Sequence, residues 1–493
     1  MDNLIWSRII WDNRPRYVQL YTYIRQCILE GMLMPNTRLP ATRQLAQELN
    51  VSRTTVLQAY DHLIAEGYLE GKQGAGTYVR KQVSILRSSE KENPGKGNVH
   101  TKAGEISGRS KVVTQLPEMW MRVGYNLQAF RPGVPALWDF PFQTWFRILS
   151  QNAKGLNLDA YGYGDPAGFL PLRTALAEYL ALSRGVSCQP EQIIIVGGTQ
   201  QALYLIFQIL LDAGDTVWME DPGYNGAKEA MALCGVKPIP IPVDEHGMNV
   251  GYAFANAAKA KMVYVTPSHQ YPIGTVMSLE RRLALLEWAR ANDSWILEDD
   301  YDSEYRYSGR PIAALQGIDQ HHRVLYMGTF SKVLFPGLRI GYMIVPPELV
   351  NPIVRVKSIM DRGNSILEQA TLNSFIRNGH FERHLRNMRS LYKERQEILC
   401  YWASKLLEGK ISMKKADTGL HVLGYLNHGE GHVVSKLLKQ KNVFVPALSG
   451  YTLEHHHEQA LIFGYAPYNE GQIRKALEVI ANILKAHKAD AHR

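Results

Sequence analysis

The sequence predicts an α/β protein in two parts: a small helical segment closed by a hairpin, and a large segment built around a mostly parallel sheet. Three observations predict it. From about residue 123 to 490, short β-rich apolar runs alternate with helical patterns, as they do in layered α/β folds. Residues 12–81 hold three closely spaced helical patterns and a glycine-tipped hairpin. Between them, residues 82–122 are dominated by Ser, Gly, Lys, Glu and Asn, most strongly over 82–112, and read as a linker.

The 493 residues suffice for several domains, and 45% hydrophobic with 20% charged side chains excludes a disordered or fibrous chain. No apolar run approaches the roughly 18 residues that span a bilayer, and the first residues lack the apolar core of a signal peptide. Cys27, Cys188, Cys234 and Cys400 show no paired spacing, so neither a disulfide framework nor a zinc ribbon is indicated and a cytoplasmic location is expected. No metal site is assigned. His455-His456-His457 reads as a solvated polar loop. The net charge of +9 is uneven: residues 1–122 carry 17 Lys and Arg against 11 Asp and Glu, so +6 of it lies in the first quarter. That bias suits a polyanion partner.

In the first segment Leu20, Ile24 and Ile28 recur at helical spacing and stop at Gly31. A second helix starts after Pro40 with Leu45 and Leu49 inward, and Asn50-Val51 makes a tight turn. Ser52 is placed to cap a third helix with Val56, Tyr60 and Leu63 inward and Gly67 at its end. This is helix-turn-helix spacing, and Arg53, Thr54 and Thr55 stand at the amino end of the third helix, where a recognition helix meets base edges and phosphates. Residues 68–79 follow as two strands around a glycine-rich tip, a wing able to approach a DNA backbone. A protein–protein module is the alternative use of such a segment. The stretch LPATRQLAQELNVSRTTVLQAYDHLIAEGYLEGKQGAGTYV closely resembles the winged helix of GntR-type bacterial transcription factors. The resemblance implies contacts to double-stranded operator DNA from Arg43, Ser52, Arg53, Thr54, Thr55, Gly74 and Gly76.

In the large segment, Ile193–Val196, Thr216–Met219, Met262–Val265, Trp295–Leu297 and Val324–Met327 read as buried parallel strands. Directly after the last lies Thr329-Phe330-Ser331-Lys332, followed by a glycine-containing loop and Arg339. A lysine between hydroxyl residues and a distal arginine suits an amine that forms a Schiff base beside a bound phosphate, held by Thr329 and Arg339. After Trp295–Leu297 comes the acidic run Glu298-Asp299-Asp300-Tyr301-Asp302. Carboxylates at a strand's carboxyl end are costly to bury without a cation, and a protonated pyridine nitrogen is one such partner. Gly197-Gly198-Thr199-Gln200-Gln201, before a helix expected to start near Ala202, offers amides to an anion.

In this order the stretches resemble the fold-type I aminotransferases that bind pyridoxal 5'-phosphate (PLP), over roughly residues 123–490. The resemblance implies that Lys332 forms the Schiff base, Asp299 pairs with the pyridine nitrogen, with Asp300 as its rival, and Tyr301 bonds the phenolic oxygen. Tyr224 would stack on the ring. Gly198, Thr199, Gln200, Thr329 and Arg339 would bind phosphate, and Tyr163 would reach into the site of a neighbouring subunit, which implies a homodimer. Two positions depart from the pattern: Tyr271 stands where the family's Asn-Pro-x-Gly stretch has asparagine, and Ile462 where many relatives carry a carboxylate-clamping arginine. Unless Arg131 takes over that role, α-amino acids should bind poorly and PLP itself should be the effector.

A GntR-type winged helix joined to an aminotransferase-like domain is the architecture of the MocR family, which the chain resembles from about residue 12 to 490. That implies a PLP-binding transcriptional regulator of vitamin B6 or amino-acid metabolism genes, responding to PLP or an amine. The alternatives are an active aminotransferase with a DNA-binding appendage, and a repressor whose large domain binds no cofactor.

Overall fold

A computed structural model describes residues 5–81, 106–114, 129–257, 259–309 and 312–490, so most of the expected linker lies outside the described residues. The chain divides into two compact units, residues 1–105 and 106–493.

In the first unit α1 (Arg16–Leu29), α2 (Thr42–Glu48) and α3 (Arg53–Ala65) are followed by β1 (Leu69–Lys72) and β2 (Gly76–Val79). Leu20, Ile24, Ile28, Leu45, Val56, Tyr60, Leu63, Leu69 and Val79 close one core. Trp6, ahead of the expected start at residue 12, is buried in it too. The Ser52 hydroxyl accepts from the Thr55 amide at 3.0 Å, which is the N-cap bond that starts α3. The strands pair antiparallel from Leu69 opposite Val79 to Lys72 opposite Gly76, and Gly74 and Gly76 turn the tip with φ of +74° and +108°.

The large unit holds a sheet of β3 (Ile193–Val196), β4 (Thr216–Asp221), β5 (Lys237–Asp244), β6 (Gly247–Met248), β7 (Met262–Val265), β8 (Trp295–Asp300), β9 (Val324–Thr329) and β10 (Gly341–Ile344). The spatial order is β3-β10-β9-β8-β7-β4-β5-β6. Pairing is parallel from β9 through β8, β7 and β4 to β5. The expectation of a parallel partner for Ile193–Val196 is corrected: β3 joins only through β10, which runs antiparallel to both β3 and β9. Both faces are covered. Ile193 and Ile195 enter one core cluster and Ile194 and Val196 another, the period-2 alternation of a doubly covered strand.

A smaller antiparallel sheet follows, β11 (Ile411–Met413), β12 (His421–Leu426) and β13 (Ala460–Gly464), in that order. Within the stretch expected as linker, Gly108–Thr114 is helical and packs on the helix Asn225–Cys234. Among the described residues no helix is long and apolar enough to cross a membrane.

Candidate cofactor pocket and DNA-facing surface

The carboxyl ends of β4, β7, β8 and β9 open onto one pocket, where ligands of open α/β sheets bind. Its lining includes Gly133, Thr199, Tyr224, Tyr264, Tyr271, Asp299, Tyr301, Asp302, Thr329, Lys332 and His421. Five of the expected residues therefore meet there with Lys332. The Lys332 ammonium donates to the Gly133 carbonyl at 2.8 Å, and Gly133 holds φ +70°, a conformation that favours glycine, with a Cβ there 2.8 Å from the Lys332 nitrogen, which would have to shift. Burial lowers its pKa to about 8, against the pull of Asp302 and Asp299, which makes the neutral, nucleophilic amine accessible near neutral pH.

The rival carboxylates are separated by strand geometry. Consecutive residues on β8 point to opposite faces. Asp300 turns away from the pocket into a buried ion pair with Arg184 Nε at 2.7 Å and accepts from the Tyr326 hydroxyl at 2.6 Å. Asp299 lines the pocket; its Oδ2 accepts from the Tyr264 hydroxyl at 2.7 Å, while its buried Oδ1 has no protein partner. Burial raises its pKa to about 7. An orphaned carboxylate oxygen calls for a donor or cation, which a protonated pyridine nitrogen supplies.

The helix after β3 starts at Thr199, not near Ala202, with Gly198 as its N-cap at φ +113°. The Arg339 guanidinium closes against it: a Cβ on Gly198 would lie 3.3 Å from an Arg339 terminal nitrogen. Arg339 itself holds φ +52°, a left-handed conformation that non-glycine residues seldom take. A helix amino terminus, an arginine and the Thr329 hydroxyl thus converge, a cradle for a phosphate. Gln200 is exposed and donates to the Tyr224 hydroxyl at 3.2 Å. The cradle and the Asp299 orphan both fit PLP.

The structure adds residues that the sequence reading missed. Ser331 has a buried hydroxyl oxygen with no partner beside the Thr329 hydroxyl's contact to its amide, and its place two residues from Thr329 was the available signal. His269 Nδ1 lies 2.8 Å from Asp302 Oδ1 and 2.9 Å from the Tyr301 hydroxyl. Tyr264 and His269 come from a different strand and loop, and nothing local in the sequence marks them. Tyr163 stays out of the pocket, 88% exposed, with the Arg362 guanidinium over its ring. Arg131 does not line the pocket; its amide donates to the Tyr468 hydroxyl at 3.1 Å. Ile462 is fully buried with Tyr271, Leu423 and Tyr451. Of the three histidines expected to be solvated, His456 is exposed, whereas His455 and His457 are half-buried, with His457 Nε2 2.9 Å from the Asp221 carbonyl and His455 Nε2 3.3 Å from that of Pro240.

On the small unit, Arg43, Ser52, Arg53, Thr54, Gly74 and Gly76 are exposed, and Thr55 is half-buried. The Ser52 and Thr55 hydroxyls bond one another at 2.8 Å, so both serve the cap, whereas Arg53 reaches only a long 3.5 Å contact with Thr42. Arg38, not singled out from the sequence, packs against Gly76 at the wing, where a Cβ would lie 3.0 Å from its Nε.

Residues 16–79 match the family of bacterial regulatory proteins of the gntR type, and residues 140–480 match aminotransferase class I and II. A probable rhizopine catabolism regulatory protein, MocR, of Rhizobium meliloti is 39% identical, covering 96% of this chain and 94% of its own. The chain belongs to the MocR family. It is an HTH-type transcriptional regulator with a GntR DNA-binding domain fused to an aminotransferase-like domain. Another MocR-family member, the pyridoxine biosynthesis regulator PdxR of Corynebacterium glutamicum, is 30% identical over 94% of this chain and 95% of its own. The large unit resembles the solved kynurenine aminotransferase of Pyrococcus horikoshii, crystallised with PMP, at a TM-score of 0.67 and 28% identity, covering 77% of this chain and 93% of that one. The MocR-family fold is thus a PLP-dependent aminotransferase fold joined to a DNA-binding head.

Proposed function

We propose that this regulator binds PLP at Lys332 and that occupancy of the pocket sets its affinity for operator DNA, with PLP itself or an amine as the effector. One observation carries the reading: the Lys332 amine, the orphaned Asp299 Oδ1 and the Thr199 and Thr329 residues beside the Gly198–Arg339 contact line one pocket, which supports a ligand with an amine-reactive carbon, a basic ring nitrogen and a phosphate. When bound, PLP supplies an aldehyde carbon and an electron-accepting ring. Lys332 would hold that carbon, Asp299 the ring nitrogen, Tyr301 the phenolic oxygen, Tyr224 the ring face, and Gly198, Thr199, Ser331, Thr329 and Arg339 the phosphate.

Operator contact is assigned to Arg53 and Thr54, with Arg43 and the wing at Gly74 and Gly76 flanking them. Ser52 and Thr55 act by holding the helix start. The exposed Tyr163 supports a homodimer in which it meets a second copy. A relative named for pyridoxine biosynthesis supports control of vitamin B6 genes, with amino-acid metabolism genes as the other target class expected from the sequence.

Regulation requires that PLP bind one state of the protein more tightly than the other, since equal affinity shifts nothing. The test is borohydride reduction of the PLP-treated protein with peptide mapping: label on Lys332 is expected, and label elsewhere or none overturns the assignment.

A further inference from the structure

The pocket has two walls of different chemistry. The cradle carries Arg339 and a helix amino terminus, whereas Tyr224, Tyr271, Tyr301, Leu420 and His421 form an aromatic wall of the pocket. Three observations describe what that wall accepts. Ile462 packs beneath it with Tyr271 and Tyr451, with Tyr224 and Tyr301 alongside, so an aliphatic side chain fills the position expected to hold a cation. Among the described lining residues Lys332 is the only cation, set against the carboxylates of Asp299 and Asp302. The remaining polar groups are neutral hydrogen-bonding ones. His421 Nε2 lies 3.0 Å from the Pro272 carbonyl, which only accepts; the ring proton is therefore on Nε2, and Nδ1 is left as an acceptor. Burial, and the neighbouring His269, hold the His421 pKa down to about 3, so the imidazole contributes no positive charge.

We propose that this wall selects an amine that bears hydroxyl groups and no carboxylate. The inference rests on the PLP-site reading and deepens it by naming the ligand class. A carboxylate entering here would lose its water and face Asp302, with Ile462 where a clamping cation is expected and Arg131, whose charge is felt at Lys332, outside the lining, so it is disfavoured. A hydroxyl both donates and accepts, and meets phenols that do the same and an imidazole nitrogen that accepts. Sites built of such groups reject analogues lacking the hydroxyl, because the protein's own polar atoms are then left unpaired.

The test uses the full-length protein loaded with PLP and three small amines of one skeleton: serinol (2-amino-1,3-propanediol), serine, and isopropylamine. Visible absorption of the bound cofactor and operator affinity are the readouts. Serinol is expected to half-saturate both at a concentration roughly tenfold or more below serine, and below isopropylamine as well. His421→Phe should bring serinol toward isopropylamine, a change in a ratio of ligands that a merely structural role would not produce. Ile462→Arg, if it folds, should move the preference toward serine. A response to serine equal to or better than that to serinol overturns the proposal, and so does serinol performing no better than isopropylamine. PLP uptake without selectivity defeats this proposal alone, whereas no PLP uptake by the wild-type protein defeats the underlying reading with it.

Discussion

Asp299 and Asp300 are chain neighbours on one strand, yet they belong to different regions of the molecule. Asp300 Oδ2 takes both the Arg184 guanidinium and the Tyr326 hydroxyl inside the protein, whereas Asp299 keeps its buried Oδ1 without a partner at the pocket. The contrast separates stability from function. A carboxylate with all its partners within the fold holds the fold together; one with a partner missing is poised for a ligand. The same contrast runs through the pocket as a whole. Its cradle carries the Arg339 guanidinium, whereas its aromatic wall is backed by Ile462 and lined by tyrosines and a neutral histidine.

The largest effect expected is at Lys332. Lys332→Ala should abolish borohydride-fixed PLP entirely while leaving the apo protein folded, which circular dichroism and the fixed label together check.

Next is the acidic pair. Asp300→Ala leaves Arg184 buried without its partner and should cost about 3–5 kcal/mol of stability, read as a lowered denaturation midpoint. Asp299→Asn should leave stability within about 1 kcal/mol and instead weaken PLP binding, measured by equilibrium titration. If the two variants exchange these phenotypes, the separation drawn here is wrong.

A smaller effect is expected on DNA. Arg53→Ala should cost about 1–3 kcal/mol of operator binding if it reads a base edge, with PLP affinity unchanged. Ser52→Ala should instead cost about 1 kcal/mol of stability through the lost cap.

The smallest is the pH response. The Lys332 amine is protonated below its pKa of about 8 and neutral above it, so the rate of covalent PLP capture should climb with pH and level off above about 8. A rate independent of pH across that range would contradict the burial-lowered amine.

Much of this was legible in the sequence because the relevant signals are local. Ser52 capping, the Gly74–Gly76 tip and the Thr329-to-Lys332 run each lie within a few residues of the element they shape. The choice between Asp299 and Asp300 needed the strand's phase, which depends on what packs on each face. Tyr264, His269 and Asp302 act on Asp299 and Tyr301 through contacts between elements, and no spacing announces such contacts. The antiparallel insertion of β10 was hidden for the same reason: a fully buried strand reads alike in either direction. Trp6 escaped notice because an aromatic residue near a terminus carries no periodicity.

The most direct test of the central claim is operator binding by the apo protein titrated with PLP, run beside Lys332→Ala. A PLP-dependent change in operator affinity in the wild-type protein, absent in the variant, is the predicted result. Identical operator affinity with and without saturating PLP, in the presence and absence of serinol, would contradict it.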